Sequence, residues 1–156
     1  MLTTYIESFI ANRQELEPIF ILHAKEISEH VKRGYNLAPD WKKYQRLEEA
    51  GELIFISLRN QGELIGYMTA FIAPALHYKG CLQVAQDLIY VVPSYRGNQN
   101  GQYGGDMLIL KMKQEAKKRG AKLVTAGYKI KRAKHMRNLL ERNEFEDFEN
   151  HMVCWL

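Results

Sequence analysis

The stretch DLIYVVPSYRGNQNGQYGGDMLILKMK (residues 87–113) decides how this chain is read. It begins as an apolar run from Asp87 that Pro93 closes. An Arg-Gly pair follows at Arg96–Gly97, and the loop after it carries Gly97, Gly101, Gly104 and Gly105. The segment then enters a helix predicted from about Gly105 to Arg119, with Leu108, Ile109, Met112 and Ala116 as its apolar stripe and Gly120 as its C-cap. A strand that passes through such a loop into a helix N-terminus makes a place for an anion. The first N–H groups of a helix lack intrahelical partners, and its dipole favours negative charge there. Glycines allow positive φ and let a phosphate approach the backbone, and Arg96 adds a fixed positive charge at the loop entry. The same loop also reads as a flexible connector. Its spacing excludes G-x-x-x-x-G-K-[ST] and G-x-G-x-x-G, so it is neither a P-loop nor a dinucleotide fingerprint.

Working outward, the strand "CLQVAQDLIYVV" (81–92) alternates poorly and is apolar to its end, which predicts a central strand covered on both faces. Before it, "ELIFISLRN" and "ELIGYMTAFIA" read as two strands joined by a hairpin turn at Gln61–Gly62. Nearer the N-terminus, Thr3–Ile10 reads as a strand. A helix is predicted from Glu17, with Pro18 in its first position, Leu16, Phe20, Ile27 and Val31 at helical spacing, and Gly34 at its end. A second helix is capped by Asp40 and stopped by Gly51. After the central helix come a strand "AKLVTAG" (121–127), a short helix "AKHMRNLLERN" (133–143) and one or two terminal strands in "FEDFENHMVCWL" (145–156). The order β, α, α, β, β, β, α, β, α, β defines a single mixed α/β domain over residues 1–156.

Composition narrows the class. The chain has 156 residues, 46% apolar and 26% charged, which suits one globular domain with a sizeable core. No stretch approaches a membrane span, and "MLTTYIESFIANRQELEP" lacks the pattern of a signal peptide. Cys81 and Cys154 form no disulfide framework and read as small buried residues on strands in a reducing cytoplasm. The five histidines show no metal-ligand spacing, so no metal is expected. The net charge of +4 suits an anionic ligand. Much of the positive charge lies in 111–122 and 128–137, read either as solvated faces or as a surface that attracts phosphates. Neither segment has interleaved aromatics, which argues against a nucleic-acid stacking platform.

At "IYVVPSYRG" (89–97), "GELIGYMTA" (62–70) and "LLERNEFEDFE" (139–149) the chain resembles the GNAT superfamily of acyl-CoA-dependent N-acyltransferases, and the element order matches over essentially its whole length. The resemblance implies a mostly antiparallel central sheet flanked by helices, with a splay between central strands. It implies acetyl-CoA as cosubstrate, the pantetheine arm on the backbone of Ile89, Tyr90 and Val91, and the pyrophosphate on the amides after Arg96–Gly97. It implies direct transfer to an amine of a small molecule or a protein, and it allows a homodimer. The loop departs from the family pattern of Gln or Arg, two residues, Gly, one residue, then Gly or Ala. Three alignments bring Gln99, Gly101, Gln102, Gly104 and Gly105 into the coenzyme-binding set. We favour a helix start at Gly104 or Gly105 after an insertion.

Transfer requires a neutral amine, a polarised thioester carbonyl and a proton for the leaving thiolate. A backbone N–H near Val91 is suited to the carbonyl. Asp87 is the best-placed base, with strand entry as its other reading. Tyr128 is the leading acid candidate, beside Tyr90, Tyr95, Tyr103 and His135. Many relatives place a Tyr where this chain has Leu140, and Glu144 replaces the usual Gly before Phe145. The acceptor would be shaped by Trp41, Tyr44, Tyr67, Phe71, His77 and Tyr78, though Tyr67 and Phe71 also read as core. Two other functions fit the sequence: a catalytically silent GNAT-fold protein that binds acyl-CoA or a partner, and a basic nucleic-acid-associated protein.

Overall fold

The computed structural model describes residues 1–130, 133–149 and 151–155. In chain order its elements are β1 (Leu2–Ile6), α1 (Arg13–Ile27), α2 (Glu29–Lys32), α3 (Trp41–Glu49), β2 (Leu53–Asn60), β3 (Glu63–Pro74), β4 (Leu82–Val91), β5 (Asn98–Gln99), β6 (Gln102–Tyr103), α4 (Gly104–Lys118), β7 (Leu123–Thr125) and α5 (Ala133–Glu141). The main sheet has the order β1-β2-β3-β4-β7. Its first four strands are antiparallel, and β7 runs parallel to β4. The β2–β3 turn puts both Gln61 (φ 50°) and Gly62 (φ 89°) in the left-handed region, the form that matches strand twist. This is the mixed, mostly antiparallel architecture expected from the sequence.

Helices cover both faces. On one, α4 and α5 bury Leu108, Ile109, Met112, Leu139 and Leu140 against Ile54, Ile56, Leu58, Met68 and Val84. On the other, α1 and α3 pack Leu16, Ile19, Phe20, Trp41 and Tyr44 against Leu53, Phe55, Tyr67 and Tyr90. Two β-bulges explain the poor alternation of the sequence. In β3, Leu58 pairs with Gly66 and Arg59 with Leu64, so Ile65 is the extra residue. In β4, Thr69 pairs with Leu88 and Ala70 with Gln86, so Asp87 is extra. Across each bulge the inward parity flips. Leu82 and Val84 face α4 before Asp87, whereas Ile89 and Val91 do so after it.

Several expectations need correction. The first helix begins at Arg13, so Pro18 lies inside it, and it ends at Ile27. Val31 falls in the separate α2, which the Ser28 hydroxyl caps by accepting from the Val31 amide. β4 is not covered on both faces: Ala85 and Asp87 are exposed, because the sheet opens beside them. No described residue from 145 to 155 is in a strand. Phe148, Met152 and Val153 are exposed there, and Trp155 instead packs on His30 and Arg33. Asn150 and Leu156 of those predicted strands, and Lys131 and Arg132 of the basic segment, lie outside the described residues. Cys81 is half-buried ahead of β4 and Cys154 is exposed, so neither is a buried strand residue. No helix among the described residues is long and apolar enough to cross a membrane.

Candidate active site

The parallel pairing of β4 with β7 stops at Ala85 and Thr125. One residue on, the Gln86 side chain accepts from the Gly127 amide at 3.1 Å. Among the described residues no strand pairs this edge of β4 from Gln86 to Val91. The Val92 N–H is bonded to the Ile65 carbonyl on the β3 side, at 2.9 Å. The Tyr90 carbonyl also points toward β3, because a Cβ added at Gly66 would meet it at 2.7 Å. A trans peptide points its C=O and the following N–H in opposite directions. Both the N–H and the C=O of Val91 therefore face the open edge, and strand alternation puts those of Ile89 there too.

The glycine loop folds into regular structure. After a 3₁₀ turn at Pro93–Tyr95 and Gly97 (φ 82°), β5 and β6 form a small hairpin whose turn is Asn100 (φ 53°) and Gly101 (φ 84°). The Gln102 side chain accepts from the Leu2 N–H at 2.8 Å and donates to the Leu2 C=O at 3.1 Å, acting as an extra pairing partner for β1. Gln99 donates to the Ser94 carbonyl. The structure thus gives Gln99, Gly101 and Gln102 folding roles within the hairpin. Helix α4 begins at Gly104, and Tyr103 gives it no side-chain cap; in the first turn the Asp106 carboxylate accepts from its own backbone N–H. Gly104 is closely packed: a Cβ there would lie 2.6 Å from Leu58 Cδ2, so the Leu58 side chain would have to shift. Gly105 abuts Leu139. Within this first turn, Asp106 accepts two bonds from Arg142, each 2.6 Å, and one from Asn143. Burial alone would raise the Asp106 pKa, but those bonds outweigh it and hold it below the ordinary carboxylate value.

Arg96 is engaged elsewhere than the sequence suggested. Its terminal nitrogens bond both Glu26 carboxylate oxygens on α1, at 2.8 and 2.7 Å, and its Nε donates to the Val91 carbonyl at 2.7 Å. The guanidinium lies 5.1 Å from the centre of the Tyr90 ring. The fixed positive charge expected at the loop entry is thus paired with Glu26. Arg96 joins the strand end to α1, and its pKa is raised chiefly by the Glu26 hydrogen bond.

On the α1/α3 side, Asp87 Oδ2 accepts from the Thr69 hydroxyl at 3.2 Å, and Thr69 Oγ1 accepts from the Leu88 N–H. The Asp87 side chain is exposed at the mouth of the opening, yet the surrounding protein strips enough water to raise its pKa against the Thr69 bond. Its charge reaches Tyr44, whose pKa is pushed to about 12 by burial first and by Asp87 second. Tyr67 is buried, and its hydroxyl stands 2.6 Å from Nδ1 of His23. His23 also stacks on Tyr90 with ring centres 4.6 Å apart. Phe9, Phe20, Trp41 and Tyr44 form an aromatic cluster beside them. His77 and Tyr78 are exposed in the β3–β4 connection, at the far end of β4 from Val91. Tyr128 lies in the loop after β7, and its hydroxyl makes no hydrogen bond among the described residues. Leu140 is buried in the core, and Glu144 has φ 68°, which explains why a Gly suits that position.

His23, Glu26 and Thr69 escaped the sequence reading. His23 continues the helical stripe of Leu16, Ile19 and Phe20, and that spacing could have placed it on the buried face.

No family model matches the sequence, and no curated protein matches it. Solved structures do match its fold. A ribosomal-protein-alanine N-acetyltransferase from Brucella melitensis biovar Abortus 2308 is 17% identical, with 99% of each chain covered and a TM-score of 0.71. The aminoglycoside acetyltransferase HMB0005 from an uncultured soil metagenomic sample is 15% identical, with 100% of this chain and 99% of that one covered and a TM-score of 0.76. AAC(6')-Iy, solved with the bisubstrate analog CoA-S-monomethyl-acetylneamine, is 16% identical, with 100% of this chain and 98% of that one covered and a TM-score of 0.71. The chain has the GNAT acetyltransferase fold.

Proposed function

We propose that this chain is an N-acetyltransferase that moves an acetyl group from acetyl-CoA to a primary amine, directly and in a ternary complex. The observation that carries the reading is the open edge of β4. The Val91 N–H and C=O face it, and the uncapped N-terminus of α4 at Gly104 packs onto Val91. An amide-bearing arm finds main-chain partners along such an edge, and a pyrophosphate finds N–H donors at such a terminus. The thioester supplies the acyl group. The Val91 N–H is suited to polarise its carbonyl, and Asp87, on the face toward α1 and α3, is suited to take a proton from the amine. Tyr128 is the candidate donor to the leaving thiolate.

A second reading, a GNAT-fold protein that binds acyl-CoA without transfer, is favoured by Leu140, which is buried where many relatives carry an acid. Calorimetric titration with acetyl-CoA and coenzyme A, followed by thiol release across a panel of amines, separates the two. Binding with turnover is expected. Binding without turnover supports the silent reading, and an absence of binding removes both.

A further inference from the structure

The last turn of α1 touches both lips of the opening beside β4. On one lip, Glu26 holds Arg96, and Arg96 Nε occupies the Val91 carbonyl on the open edge. On the other, Lys129 Nζ, in the loop after β7, donates to the Ile27 carbonyl at 3.1 Å. Immediately after Ile27 the helix breaks: Ser28 is extended (ψ 115°) before α2 begins. The turn that spans the gap is thus bounded by a change of backbone direction. The stack of His23 on Tyr90 secures the turn before it.

We propose that this turn of α1 is a strap across the acyl-donor edge, latched by Glu26 to Arg96, and that a donor with an amide-bearing arm must open the latch to reach Val91. This rests on the reading of the edge as a coenzyme A site. The Val91 carbonyl is the acceptor such an arm would use, and Arg96 already fills one of its lone-pair directions at 2.7 Å. Opening the latch frees a guanidinium whose planar fork matches a phosphate as well as a carboxylate. Glu26 is then a positioning residue: it touches no reacting atom and sets the donor affinity through Arg96.

The test is calorimetric titration of coenzyme A into the wild-type chain, Glu26→Gln and Glu26→Asp, with the Arg96 Nε–H resonance followed by NMR. Glu26→Gln is expected to bind coenzyme A about two- to fivefold more tightly, as loss of a partly exposed pair allows. Glu26→Asp should lie between the two, and it keeps the test open if the glutamine variant does not fold. The wild-type Arg96 resonance is expected to shift on binding. A merely structural role would not raise affinity. Equal or weaker binding by the variants, with the wild type still binding, overturns the strap alone. If no protein binds coenzyme A, the strap and the transferase reading fall together.

Discussion

The Tyr67 hydroxyl and Nδ1 of His23 meet at 2.6 Å inside the packing of α1 on the sheet, and Nε2 of the same ring is buried without a hydrogen-bond partner among the described residues. Burial pushes the His23 pKa down to about 4, with Arg96 and Lys129 adding to the effect and Glu26 opposing it. The folded protein therefore keeps this ring neutral where the unfolded chain, with an ordinary value near 6.5, is protonated. The associated stability is complete above about pH 6.5 and is lost as pH falls toward 4. The full loss is about 3 kcal/mol. Urea denaturation at pH 7 and pH 4.5 should reveal it, and His23→Gln should flatten the slope within that window.

The geometry of Asp87 and Thr69 carries a second expectation. Asp87→Asn is expected to lower turnover by roughly 10²–10⁴, the usual worth of a general base, while leaving coenzyme A affinity nearly intact. Because the Thr69 hydroxyl favours the Asp87 carboxylate, Thr69→Val should raise its pKa and move the acid limb of the pH–rate profile to higher pH. An acid limb that persists unmoved in Asp87→Asn removes this residue from the base role.

Two glycines should differ in their tolerance of a methyl group. At Gly66 the new Cβ would sit 2.7 Å from a backbone oxygen, that of Tyr90, in the middle of a paired sheet. At Gly104 it would sit 2.6 Å from the tip of the Leu58 side chain. Gly66→Ala is expected to cost about 2–4 kcal/mol and Gly104→Ala about 1–2 kcal/mol, both by overpacking. Equilibrium urea unfolding measures both. Leu58→Val combined with Gly104→Ala should cost less than the sum of the two, since they share one contact.

Glu144 holds a backbone conformation that costs a side chain and costs glycine nothing. Its exposed carboxylate bonds Lys113 at 2.7 Å, an interaction of little net worth at a surface. Glu144→Gly is expected to raise Tm by about 1–3 °C in a thermal melt. A lowered Tm would mean that the Lys113 pair outweighs the backbone strain.

Much of the fold was legible because its signals are local. Asp40 accepts from the Lys43 N–H as an N-cap should, and Gln61–Gly62 makes the turn its residue types predict. The stripe of α4 is buried as its spacing required. What escaped the sequence is non-local or misleading. Pro18 signals a helix start but sits inside α1, a position that costs a helix and that packing of Leu16, Ile19 and Phe20 overrides. Arg96 meets Glu26 across 70 residues of chain, and no spacing rule connects them. The Asp87 bulge disguised β4 as a uniformly apolar strand, although its two halves bury opposite parities. The helix start at Gly104 was foreseeable, whereas the small hairpin before it, anchored to Leu2 by Gln102, was not.

The extra residue at Asp87 also sets rules for how the chain length can change. The β5–β6 hairpin projects from the strand end, so removing one residue from each of its short strands keeps the turn and the entry to α4 in phase. A single insertion between Val84 and Ile89 is different in kind. With one bulge kept, it would hand Leu88, Tyr90 and Val92 to the α4 side and Ile89 and Val91 to the α1 side, exchanging the tenants of two cores at once, whereas loss of Asp87 would only straighten the strand and take its carboxylate from the α1/α3 face. Insertions should therefore accumulate in the loop and be excluded from the strand before it, so that one stretch of sequence can grow and the adjoining one cannot.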